Sequence, residues 1–105
     1  MAEKNANYSD TALSLLKANL GYYGEIPNEV TANLQSLLDY AYLRLAQSAE
    51  IKLTPGNLLD DMLQVMYAAY IYRNGVSGAE KHPMLKEAIK DYQLHGALGV
   101  SEADV

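Results

Sequence analysis

A chain of 105 residues has room for one domain. The absence of cysteine excludes disulfides and thiolate metal sites, and a net charge of −5 with scattered Lys and Arg argues against an electrostatic grip on nucleic acid. No stretch reaches the roughly 18 apolar residues a membrane span needs, and the polar opening MAEKNANYSD has no apolar signal core, so the expected setting is cytoplasmic.

Residues 1–9 read as a loose polar arm. Ser9 and Asp10 carry side-chain oxygens that accept from free first-turn N–H groups, and Leu13, Leu16 and Leu20 follow at helical spacing. These predict a helix over 10–20, stopped by Gly21. GYYGEIP is a turn. Pro27 suits a first helical turn, and Val30, Leu34, Leu37, Leu38, Ala41 and Leu45 form one apolar stripe, predicting a second helix over 27–48. Glu29 and Arg44 lie near its two ends with the polarity the helix dipole favours. A weaker second stripe, Ala32, Tyr40 and Leu43, leaves this helix with more apolar surface than one core needs.

Thr54-Pro55 reads as an N-cap and first-turn proline opening a third helix. Its run over 58–74 is apolar nearly all round: between Met62 and Tyr72 only Gln64 is polar. A helix of that pattern is expected to be buried on all sides. Arg73, Asn74 and Gly75 close it. VSGAEKH reads as a polar loop, Pro83 opens a last helix over 83–95 with Met84, Leu85, Ala88, Ile89 and Tyr92 inward, and Gly96 stops it before a trailing segment, 97–105. The expected fold is therefore all-α: a small bundle of about four helices over 10–96, with the apolar third helix at its centre.

Candidates for chemistry are weak. Asp60 and Asp61 are better explained as first-turn carboxylates offsetting the helix dipole than as metal ligands, because adjacent helical residues point apart. His82 and His95 flank the last helix, and His95 complements a helix C-terminus. Met62, Met66 and Met84 read as gap-filling core. No serine sits in a nucleophile elbow, and TPGN and GVSG are too poor in glycine to cradle phosphate. The expectation is no enzyme, no cofactor and no metal.

Nine tyrosines with neither Phe nor Trp point elsewhere. Tyr67, Tyr70 and Tyr72 point in different directions at 100° per residue, so one core does not hold all three. Tyrosine joins a large apolar ring to a polar tip, the chemistry of a partly wet interface. Tyr40, Leu43, Tyr67, Tyr70, Tyr72 and Arg73 are therefore the candidate subunit interface.

The segments LLKANLG, PGNLLDDMLQVMYAAYIYRNG and HPMLKEAIKDYQLHG, in that order over residues 10–95, resemble the head–tail connector (adaptor) family of long-tailed bacteriophages, sometimes labelled DNA-packaging proteins. The resemblance rests on Leu15-Leu16-Lys17, the Asp61-to-Arg73 block and Pro83-Met84-Leu85. It implies a helical structural protein of the virion neck, made in the host cytoplasm. Such subunits form a homo-oligomeric ring, twelve-fold in the virion, between the portal protein and a tail-side stopper. DNA passes through the lumen without specific binding, and there are no catalytic residues to carry over. The segment after Gly96 is short and acidic, leaving little chain for any C-terminal docking element. Two other readings stay open: a small helical regulatory or protein-binding module, monomer or dimer, and a DNA-binding packaging factor, which the charge disfavours.

Overall fold

The computed structural model describes residues 7–98. It is all-α: α1 (Asp10–Asn19), α2 (Asn28–Ser48), α3 (Leu58–Lys81) and α4 (Pro83–Leu98), with no strand among the described residues. Most of the arm expected at 1–9 and of the tail expected at 97–105 lies outside those residues.

The helix ends have local causes. Ser9 caps α1, its Oγ accepting from the Ala12 N–H at 3.0 Å. α1 closes on Gly21 at φ 86°, which lets the Tyr22 N–H return to Lys17 O at 2.8 Å and the Gly21 N–H to Ala18 O at 3.1 Å. Pro27 is the N-cap of α2, so the helix begins at Asn28, one residue after the expected start. α2 closes with Glu50 in the left-handed region at φ 57°, and the Ile51 N–H reaches back to Leu45 O at 3.0 Å. The cap of α3 is Asn57, whose side chain accepts from the Asp60 N–H at 3.2 Å, and not Thr54. Thr54 instead opens a turn closed by the Asn57 N–H.

The central placement of α3 holds: it packs against α1, α2 and α4, while α1 also packs on α2. Two apolar clusters lie on different sides of it. One gathers Ala12 and Leu16 of α1, Leu34 and Leu38 of α2, and Val65, Ala68 and Ala69 of α3. The other gathers Ala41 and Leu45 of α2, Ile51 and Leu53 of the connection, Leu63, Tyr67, Ile71 and Ala79 of α3, and Leu85 of α4. Gln64 is 1% exposed; its Nε2 donates to Leu38 O at 2.9 Å and to Asn7 O at 2.8 Å, tying α3 to α2 and to the stretch before α1.

The polar loop expected after Gly75 is a correction. Residues 76–81 are helical, and Gly75, at φ 79° and ψ 169°, reverses the chain inside α3. In a continuous helix Tyr70 and His82 would stand about 18 Å apart along the axis; here their rings stack with centroids 4.1 Å apart. With a second break at His82, φ −69° and ψ 125°, the reversal lays α4 against α3. α4 itself runs through Gly96 to Leu98, past the expected stop, and Met84 is exposed rather than inward.

Candidate functional site: an open apolar stripe on the central helix

α3 has more circumference than its neighbours cover. Leu58, Met62, Met66, Tyr70 and Arg73 fall on an arc about 120° wide at 100° per residue. Leu58 and Leu59 are exposed, Met62 is 54% exposed, and Met66 and Tyr70 are half-buried. The expectation that this helix is buried on all sides is therefore corrected. So is the reading of Met62 and Met84 as core.

The stripe borders a groove between α3 and α1, lined by Met62, Val65, Met66, Ala69, Tyr70 and Arg73 with Leu15 and Asn19. Its volume, about 280 Å³, lies below the roughly 300–1,000 Å³ of small-molecule pockets. Arg73 closes one end. Its Nη2 donates to Asn19 O at 3.0 Å and to Asn19 Oδ1 at 2.9 Å, so the guanidinium sits at the negative end of α1. The groove is an extended apolar surface with one cationic rim, a shape suited to a side chain or helix edge of a macromolecule.

The six candidate interface residues do not form one patch. Tyr70 and Arg73 line the groove. Tyr72 is 42% exposed and shares a 2.6 Å hydroxyl contact with Tyr22. Leu43 is half exposed on α2, and Tyr40 packs partly against the second cluster. Tyr67 is 2% exposed and belongs to the monomer core. Its hydroxyl donates to Glu80 Oε2 at 3.1 Å, and Arg44 Nε donates to the same oxygen at 2.9 Å. Burial, and then the bond to Glu80, push the Tyr67 phenol up to about 12. Arg44 thus serves an ion pair to the folded-back part of α3 rather than the α2 dipole.

Asp60 and Asp61 have a role the sequence did not announce. Both are buried. Asp60 accepts from the Thr54 N–H at 2.6 Å and from the Tyr92 hydroxyl at 2.7 Å. Asp61 accepts from the Gly56 N–H at 3.1 Å and from the Ser9 hydroxyl at 2.8 Å. One pair of adjacent carboxylates thereby fastens the 49–57 connection, the start of α1 and the far half of α4 to the start of α3. Among the described residues no group of three His, Asp or Glu is placed to hold a metal. His82 uses Nδ1 to accept from the Met84 N–H at 3.2 Å, at the entry to α4.

The signal for the stripe was present as Met62-Met66-Tyr70, an i, i+4, i+8 series. It was hidden because every other face of the same helix is apolar too. No helix among the described residues is long and apolar enough to cross a membrane. Comparison with protein families, with curated proteins and with solved structures gives no match for this chain.

Proposed function

We propose that this chain is a structural subunit of a bacteriophage head–tail connector, forming a ring beneath the portal that extends the DNA channel towards the tail. The observation that carries the reading is the apolar stripe on the central helix, exposed at Leu58 and Met62 and half-buried at Met66 and Tyr70, beside the groove between α3 and α1. Apolar side chains contiguous along a helix are a surface for another protein. A head-to-tail ring uses two different patches on each subunit, and exposed Tyr72 and Leu43 are the candidates for the second. The net charge of −5 suits a channel wall over which phosphates slide without being held. The resemblance of the three segments over 10–95 supplies the portal and the tail-side stopper as the partners.

The test is solution mass over a range of concentrations, alone and with portal protein. A closed ring, alone or on the portal, supports the proposal. A monomer or dimer that ignores the portal overturns it and favours a small helical binding module.

A further inference from the structure

We propose that Gly75 is the hinge of a domain exchange, in which residues 76–98 leave their own α3 and pack in the same way on a second copy of this chain. The inference is independent of the connector reading.

The break at Gly75 is one residue long; a second, at His82 with φ −69° and ψ 125°, lies within the unit beyond it and leads into α4. The Gly75 φ of 79° and ψ of 169° are a combination that essentially only glycine adopts. Gly78 belongs to the same device. A Cβ there would lie 2.9 Å from Asn74 Cβ, closer than real Cβ atoms approach, so the reversal needs glycine at both positions. In a straight helix residues 74 and 78 are ordinary i, i+4 neighbours with Cβ atoms about 5–6 Å apart. The two glycines are therefore required by the folded-back form and by nothing in a straight one.

The unit beyond the hinge is complete as a docking piece. It carries Ala79 and Leu85 into the second cluster, Glu80 to Arg44 and Tyr67, Tyr92 to Asp60, and the Gln93 Nε2 to Ala49 O at 2.9 Å. A straight α3 would carry all of these away from their partners, since its 24 residues extend about 36 Å. The apolar face of α4 would then be bare. The surface that matches it is the one it left, on another copy. Exchange restores every contact, so the two forms differ mainly in the backbone at residue 75, the condition under which domain swapping occurs.

The chain has no cysteine, so single substitutions report the exchange cleanly. One sample carries Ala49→Cys and another Gln93→Cys; the two are mixed, unfolded and refolded together at high concentration, and treated with a short bismaleimide. Exchange yields a covalent heterodimer of twice the 11.5 kDa chain mass. Adding Gly75→Ala and Gly78→Ala to both partners raises that product roughly tenfold or more, the ratio expected from removing a glycine-only conformation. Val76→Pro fits the first turn after the reversal but not a straight helix. It is expected to keep a folded monomer and abolish the product. The proposal is overturned by absence of the heterodimer in the refolded parent pair, or by equal yield with Val76→Pro. These two arms decide even where the alanine variant fails to fold.

Discussion

The Tyr92 hydroxyl donates to Asp60 Oδ1 at 2.7 Å, bridging 32 residues and closing α4 onto the start of α3. Burial, and then this bond, push the Tyr92 phenol up. Removing only the hydroxyl with Tyr92→Phe leaves Asp60 with the Thr54 N–H. The expected cost is about 1.5–3 kcal/mol, the range for a hydrogen bond to a charged group. Urea unfolding measures it, and a change below about 0.5 kcal/mol would show that the bridge does not hold α4 in place.

Alkali should weaken the fold through buried phenols. Tyr67 rises from 10.0 to about 12 in the folded chain. The unfolded chain therefore releases this proton first. The stabilisation from Tyr67 is complete below about pH 10, falls between pH 10 and 12, and has been lost above that window. Tyr67→Phe should make the decline across pH 10–12 shallower, at a cost near neutrality of about 1 kcal/mol for the bond to Glu80. Thermal melts at stepped pH are the measurement; parallel declines for parent and variant would count against it.

Glu50 occupies the left-handed region, where a side chain costs roughly 1–2 kcal/mol. It is exposed, and no side-chain contact of Glu50 offsets that cost in the hydrogen bonds that close α2. Glu50→Gly removes the clash and adds about 0.5–1 kcal/mol of unfolded-state freedom. The net expectation is a gain of up to about 1 kcal/mol, read from the urea midpoint. A loss of stability would mean that the Glu50 side chain contributes a favourable interaction.

Core and stripe should separate cleanly by mutation. Leu38 is fully buried, and Leu38→Ala is expected to cost about 2–5 kcal/mol. Met62 stands on the open stripe, and Met62→Glu should change stability by no more than about 0.5 kcal/mol. In the connector reading the same Met62→Glu subunit fails to join a ring, because the charge enters an apolar contact. Calorimetry for folding and solution mass with portal for assembly make the comparison. Normal assembly by Met62→Glu would remove the stripe from the interface.

What the sequence by itself determined is what neighbours along the chain decide. Ser9 as a cap, Gly21 as a stop, the stripe of α2 and the dense apolar run of α3 all act within a few residues, and each lies where its pattern put it. The central place of α3 followed too, because no other segment has so much apolar surface to cover. Tertiary structure decided the rest. Gly75 reads locally as a stop, and whether a loop or a reversed helix follows depends on Ala79 and Glu80 meeting Tyr67 and Arg44. Asp60 and Asp61 look like surface carboxylates until Tyr92 and Ser9, 32 and 52 residues away, arrive to bind them. On an all-apolar helix, periodicity does not mark the outward face. The packing of α1, α2 and α4 selects it, and it leaves Met62 open while enclosing Tyr67.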